Sequence, residues 1–253
     1  MAMIALITDY GWTDPYVGQL KCVLHREAPA LPVVDLLHAV PDFNAHAGAH
    51  LIDAFTLPTG TVVLAVVDPG VGGPREPVAL CADGVWFVGP DNGLLSVRAQ
   101  RATACQIYRI DWRPERLSES FHGRDLFAPV AARLARGELD EMLAEGSLAP
   151  MAALQVEFDP SDLPRVIYVD HYGNAWTGLR AALWGAQDRL QLKGQTPLSW
   201  RRTFSEGGKG EVFWHANANG LVEIAMNRGS AAVALGLQVG DRVEFVPPGV
   251  APH

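Results

Sequence analysis

The run TVVLAVV, residues 61 to 67, constrains this chain more than any other segment. It is continuously apolar, so as a strand it must be covered on both faces. Such strands belong to α/β layers, with helices laid against a largely parallel sheet. Flanking segments supply the other pieces. Ile4 to Thr8 is a short β-branched and apolar run, followed by the loop DYGWTD and an apolar stripe at Tyr16, Val17, Leu20, Val23 and Leu24. That order reads as strand, loop and helix. Leu31 to Leu37 gives a second strand, and AHAGAHLIDAF at 45 to 55 a second helix.

After the central run come DPGVGGPR and two short strand candidates, PVALCA and VWFVG, separated by Asp83 and Gly84. That spacing suits a hairpin, so the sheet is expected to be mixed. Gln106 to Ile110 adds a strand. DLFAPVAARLARG at 125 to 137 sets Leu126, Phe127, Val130 and Leu134 on one helical stripe, with Gly137 as a stop and Pro129 near the first turn. Residues 138 to 164 read as an irregular transition broken by Pro150, Pro160 and Pro164. Beyond it, RVIYVD, EVFWHA, LVEIAM and DRVEFV alternate with Gly-rich connections, the pattern of a small antiparallel barrel or sandwich. The expected architecture is α/β. Residues 1–160 form a three-layer-like domain with a mixed, mainly parallel sheet, and residues 161–253 a smaller antiparallel β-barrel-like domain.

Composition narrows the partners. With 253 residues, 49% of them hydrophobic, the chain can bury a sizeable core. Lys plus Arg number 20 against 28 Asp plus Glu, a formal charge of -8 that disfavours a nucleic-acid backbone as partner. Cys22, Cys81 and Cys105 show no CxxC spacing, so no disulfide framework or structural zinc is expected and a reducing compartment fits. The start MAMIALIT, followed by Asp9, has no basic leader, and no window of eighteen apolar residues occurs. A cytoplasmic protein without a membrane partner is the expectation.

Four polar clusters carry chemistry. In TDYGWTD, Asp9 follows a strand and can accept both hydroxyls of a ribose or close the turn, while Asp14 can meet an ammonium or cap the next helix. In VVDPGVGGPR, Asp68 and Arg75 can orient a water or staple their loop. In SFHGRD, His122 suits proton transfer or water holding, and equally a helix cap, while Arg124 and Asp125 can close a local ion pair. DHYGN presents Asp170, Tyr172 and Asn174 together, or is simply a turn, as PDNG at 90 to 93 is. Trp12 and Trp214 can face a planar ligand or pack in a core.

Several chemistries lose support. No GxGxxG, P-loop or GxSxG pattern is present. His46 and His50 do not make HExxH, so no catalytic metal is expected.

With these residues in view, the sequence resembles the S-adenosyl-L-methionine (SAM) hydroxide adenosyltransferase family, related to the SAM-dependent fluorinases and chlorinases. The likeness runs through ITDYGWTDPYVGQLK, VVDLLHAVPDFN, GTVVLAVVDPGVGGPR, FVGPDNGLLS, FHGRDLFAPVAARLARG, DHYGN and NANGLVEIAMNRGSAA, in family order and over nearly the whole chain. It implies SAM as substrate, water as co-substrate, no cofactor or metal, and a homotrimer whose sites join the first domain of one subunit to the second domain of a neighbour.

Residue by residue, the resemblance matches Asp9 to the carboxylate that holds the ribose hydroxyls and Asp14 to the loop carboxylate near the methionine moiety. It matches Phe43 to a ribose-proximal aromatic, and Asn174 to an asparagine at the methionine end. Asn217 opens a further ligand-binding segment. Asp68, Arg75 and His122 match the set that marks the hydroxide-forming branch, which favours water over halide as nucleophile. On this reading Asp68 and His122 orient the water and accept its proton, and Arg75 fixes Asp68.

The implied reaction gives adenosine and L-methionine. Two departures stand out: Ala218 where the family often has serine, and Gly178 after Thr177 where it often has asparagine. A noncatalytic SAM or adenosine sensor and a halide-dependent adenosyltransferase are the alternative readings.

Overall fold

The computed structural model describes residues 2–246. The chain divides into two compact units, Met1–Pro160 and Ser161–His253.

In the first unit the elements run β1 (Met3–Thr8), α1 (Tyr16–Glu27), β2 (Val33–Leu37), α2 (Ala45–Ala54), β3 (Thr61–Val66), β4 (Pro77–Ala82), β5 (Val85–Pro90), α3 (Ser96–Arg101) and β6 (Cys105–Ile110). A π-helical turn (Gly123–Phe127), α4 (Ala128–Ala135), α5 (Leu139–Ala144) and β7 (Leu148–Met151) complete it. The strands form one sheet in the order β2-β1-β3-β5-β4-β6-β7.

The central run is β3, every residue of which is buried. One face of β1 and β3, through Ile4, Leu6, Val62 and Leu64, packs in a cluster with Leu20 and Leu24 of α1 and Val130 and Leu134 of α4. The residues of the other face, Ala5, Ile7, Val63 and Ala65, are equally buried, as a strand without a polar side requires.

Pairing is evenly divided rather than mainly parallel. β1 pairs parallel with β2 and β3, and β3 with β5. β4 pairs antiparallel with β5 and β6, and β6 with β7. The reversal comes from the expected hairpin, whose two turn residues take positive φ, 50° at Asp83 and 80° at Gly84.

The segment expected to be irregular, 138 to 164, contains α5 and β7. Pro150 sits in β7 because β7 is the edge strand, where a missing N–H costs the sheet little.

The second unit holds β8 (Leu163–Val169), β9 (Ala175–Arg180), β10 (Arg189–Leu192), β11 (Val212–Ala216), β12 (Leu221–Met226), α6 (Ala231–Leu235) and β13 (Val243–Val246). Four strands form an antiparallel sheet, β11-β12-β9-β8, and β10 pairs antiparallel with β13. Isolated bridges Arg165–Arg242, Leu190–Leu198 and Trp200–Trp214 link further segments. The core gathers Val166, Leu190, Trp214, Ile224 and Val243. Among the described residues, no helix is long and apolar enough to cross a membrane.

Candidate functional site

Chain order fixes where the first site must lie. From β1 the chain crosses to β2 on one side, and β3 then pairs on the other. The carboxyl ends of β1 and β3 therefore flank a topological switch point, where open α/β sheets leave a crevice. Thr8 and Val66 are register partners at those ends, so the loops that begin at Asp9 and Val67 leave side by side.

A cavity of about 770 Å³ opens there, lined among others by Asp9, Tyr10, Asp14, Phe43, Asp68 and His122. Asp9 Oδ2 accepts the backbone N–H of Phe43 at 3.1 Å, and Phe43 holds the left-handed conformation, φ 59°. Phe43 is 74% exposed, so the strained backbone presents an open aromatic residue at the cavity rim. Burial pushes the Asp9 carboxyl above the usual carboxylate range, partly offset by the Phe43 N–H.

Asp14 lines the cavity and leaves the helix uncapped. The N-cap position of α1 is Pro15, without a side-chain hydrogen bond. Of the two sequence readings, the cap is not realised.

Behind the cavity wall Arg75 joins the other two candidates. Its Nε donates to both Asp68 oxygens at 3.1 Å, and its Nη2 reaches His122 Nδ1 at 2.9 Å as well as Asp68 Oδ2. Only 4% of the Asp68 side chain and 11% of that of Arg75 are exposed, so the pair is buried and tightly matched. The guanidinium carbon also lies 5.4 Å from the centre of the Phe127 ring.

Because a guanidinium can only donate, His122 Nδ1 must accept, and the ring proton resides on Nε2. Burial and the Arg75 charge both lower the His122 pKa, which preserves that neutral form.

His122 immediately precedes the π-helical turn, in which Ala128 N–H bonds back to Gly123 carbonyl. The expected helix thus begins with a wider turn, and π-turns of this kind recur at functional sites. Gly123 has a packing reason: a Cβ there would fall 2.5 Å from the Tyr10 hydroxyl oxygen. Arg124 and Asp125 close the expected ion pair, Nε to Oδ1 at 2.6 Å.

The sequence reading missed an aromatic group around the cavity. Tyr10 meets Tyr16 at 5.7 Å and Phe121 at 5.9 Å between ring centres. Tyr10 lies within the DYGWTD loop and Tyr16 just after it, and Phe121 directly precedes His122 in SFHGRD; what the sequence does not show is that the fold brings these rings together.

Asn174 and Asn217 are placed elsewhere, on a cavity of about 780 Å³ within the second unit. Asp170 Oδ1 closes the DHYGN turn by accepting the N–H groups of Tyr172 and Asn174, and Asp170 Oδ2 accepts from Asn174 Nδ2. Gly173 takes φ 81°, and a Cβ there would lie 1.9 Å from Ser230 Oγ. The turn reading and the site reading are both realised, since the turn forms part of the cavity wall.

Three buried polar atoms on residues lining this cavity lack a partner: Asn174 Oδ1, Trp176 Nε1 and Asn217 Nδ2. His215 and Glu223, opposed across β11 and β12, form a buried pair there at 3.0 Å. Trp214 instead points into the core, its Nε1 bonded to Asp188 carbonyl. Trp12 is 63% exposed, with its ring against His38.

Residues 4–143 match the profile of the SAM hydroxide adenosyltransferase N-terminal domain, and residues 164–244 that of the C-terminal domain. The chain belongs to the SAM hydroxide adenosyltransferase family.

Two relatives of the family are named (R)-S-adenosyl-L-methionine hydrolase. The one from Salinispora arenicola is 38% identical, covering 95% of this chain and 96% of the relative. The one from Thermus thermophilus is 39% identical, covering 97% and 100%. A crystal structure of an uncharacterized conserved protein from Thermotoga maritima superposes with a TM-score of 0.86 at 30% identity, covering 96% of this chain and 99% of that one.

Of the two departures from the family pattern, one lines the second cavity and the other packs against a neighbouring strand. Ala218 lines the second cavity beside Asn219. Gly178 packs against Leu163, where an added Cβ would fall 2.6 Å from the Leu163 Cβ, and neighbouring Thr177 bonds to Val222 carbonyl in the core.

Proposed function

We propose that the protein hydrolyses SAM to adenosine and L-methionine. The water oxygen bonds to ribose C5′ as the C5′–S bond breaks, its electron pair passing to sulfur and one proton leaving the water. The sulfonium departs as a neutral thioether, so no acid is needed at the leaving group and the balance closes without a cofactor. Family membership supports this reading. The observation that carries it is the Asp68–Arg75–His122 cluster at the switch-point cavity, a carboxylate and an imidazole locked to one guanidinium.

The tautomer divides the labour. His122 Nε2–H can only donate toward the nucleophile's oxygen, orienting it and stabilising hydroxide character. Asp68 is the member of the set able to accept the proton, and Arg75 holds both partners in place. A nucleophile fixed in line with C5′ gains from orientation, the main lever left when the leaving group is already good.

Asp9 holds the ribose hydroxyls, with its orientation fixed by the Phe43 N–H. Phe43 flanks the ribose, and Asp14 meets the methionine ammonium. Asn174 and Asn217 take the methionine end through their unpartnered amide atoms, with Asn219 supplying the polar group that Ala218 lacks.

We assign these two asparagines to a neighbouring copy in a homotrimer. Exposed rings at both cavities, Phe43 at 74% and Tyr172 at 74%, suit surfaces that associate. The smaller unit reads as a barrel, since the bridges Arg165–Arg242, Leu190–Leu198 and Trp200–Trp214 close a ring from β8 through β13 and β10 to β11. Unpaired cysteines suit a reducing compartment, and the cytoplasm is assigned.

Direct product analysis tests the proposal. Purified protein incubated with SAM should release adenosine and methionine in equal amounts. Binding without either product would establish a sensor instead, and a 5′-halo product in chloride or fluoride would establish halide transfer.

A further inference from the structure

A chain of hydrogen bonds lies beneath the Asp9 loop, outside the set that handles the nucleophile. Lys21 Nζ donates to Asp35 Oδ2 at 2.9 Å, and Asp35 Oδ1 lies 3.1 Å from His38 Nε2. His38 Nδ1 lies 2.8 Å from Thr8 Oγ1, and Thr8 Oγ1 accepts the Tyr10 N–H at 3.2 Å.

With neutral His38, one arrangement of protons satisfies every link. The carboxylate can only accept, so Nε2 carries the ring proton; Nδ1 then accepts from the Thr8 hydroxyl, whose oxygen remains free to accept the Tyr10 amide. Two backbone bonds tie the same residues together, Gly11 N to His38 carbonyl at 2.7 Å and Val40 N to Thr8 carbonyl at 3.2 Å.

The order Thr, His, Asp imitates a nucleophile with its base and orienting acid. Burial rules that out, because Thr8 and His38 are each 0% exposed and no substrate atom can reach the hydroxyl. The outlet of the chain is instead the peptide between Asp9 and Tyr10, which the Thr8 oxygen pins from below. On its other side Asp9 is held by Phe43, from the loop that follows β2. One restraint therefore acts on the peptide that follows Asp9, through a chain that leads from Thr8 back to β2, and the other acts on the carboxylate itself from the loop after β2.

We propose that Thr8, His38, Asp35 and Lys21 are positioning residues that aim the Asp9 carboxylate at the ribose hydroxyls, setting affinity for the nucleoside rather than the rate of the chemical step. This rests on the reading of Asp9 as the ribose holder. Two hydroxyls shared by one carboxylate demand close registration, and misplacements on the order of 1 Å are costly in such contacts.

The test is adenosine affinity by calorimetry, alongside kcat and KM for SAM. Thr8→Val keeps the shape and removes both hydrogen bonds; it should weaken adenosine binding and raise KM about tenfold, a loss of about 1.4 kcal/mol, while kcat stays within about threefold of the parent. Thr8→Ser, which restores the hydroxyl, should recover affinity. Asp35→Asn carries the same measurement from the other end of the chain, should Thr8→Val fail to fold.

In an Asp9→Ala background Thr8→Val should cost nothing further, because the residue it acts through is gone. Unchanged affinity in Thr8→Val with only a lower melting point, or a full additive loss in the Asp9→Ala background, overturns the relay. If Asp9→Ala alone binds adenosine as the parent does, the ribose reading fails and the relay falls with it. If Asp9→Ala loses affinity and Thr8→Val does not, the relay alone fails.

Discussion

The two cavities differ in how their polar groups are satisfied before any ligand arrives. In the first unit Asp68, Arg75 and His122 bond to one another, and Asp9 is held by a backbone amide. In the second, an amide oxygen, an amide nitrogen and an indole N–H are buried without partners. Self-satisfied groups give a geometry that exists in advance, as a chemical step requires. Unsatisfied buried groups cost free energy until something bonds to them, as recognition allows. On the proposed function, the first region acts on the substrate and the second is completed by it.

The sharpest way to break this comparison is to remove the shared guanidinium. Arg75→Met leaves Asp68 buried without its counter-charge and should cost about 3–5 kcal/mol of stability, read from urea denaturation. A loss below about 1 kcal/mol would mean that the pair is solvated after all. Next in size, Asp68→Ala should lower kcat at least about 100-fold while SAM still binds. Turnover equal to the parent's would remove Asp68 from the chemistry.

A smaller effect concerns pH. The His122 pKa is lowered from 6.5 by burial and by Arg75, so the neutral ring and its bond to Arg75 should predominate at pH 6.5 and somewhat below it. With the folded pKa depressed, the stability this group contributes is fully present above 6.5 and is lost progressively as pH falls from there through the lower folded value. An acidic limb of kcat/KM at or above 6.5 that is absent in His122→Asn would contradict that assignment, as would nitrogen NMR showing the proton on Nδ1.

The smallest effect probes the second cavity. Trp176→Phe deletes an unpartnered N–H, so the free protein should be no less stable, while affinity for SAM falls by about 1 kcal/mol. A lower melting point with unchanged affinity would show that the indole serves the fold alone.

The sequence made the frame legible wherever side-chain pattern and backbone demand coincide. The unbroken apolar run of β3 and the Asp83–Gly84 hairpin are of that kind. It misled where sheet position decides. Pro150 argues against a strand unless that strand is an edge, and nothing in the sequence says which strand ends the sheet.

At the site, the Asp68–Arg75 pair lies seven residues apart in one loop and was readable as a pair. Its link to His122 spans 47 residues and depends on the fold. The tryptophans show the same limit: Trp214 and Trp176 both sit on strands of the second unit, and only the register decides which enters the core and which lines the cavity.

The π-helical turn at Gly123–Phe127 carries one residue more than an α-helical path through the same space. The wide turn absorbs that residue without rotating what lies on either side of it; a further insertion that no second wide turn absorbs would swing whatever precedes it by about 100° around the helix axis. His122 would then face away from Arg75, and the imidazole would be present in the sequence but lost to the site. The proposed reactive geometry therefore hangs on a count of residues as much as on their identity, a dependence that substitution scanning, which never changes the count, does not touch.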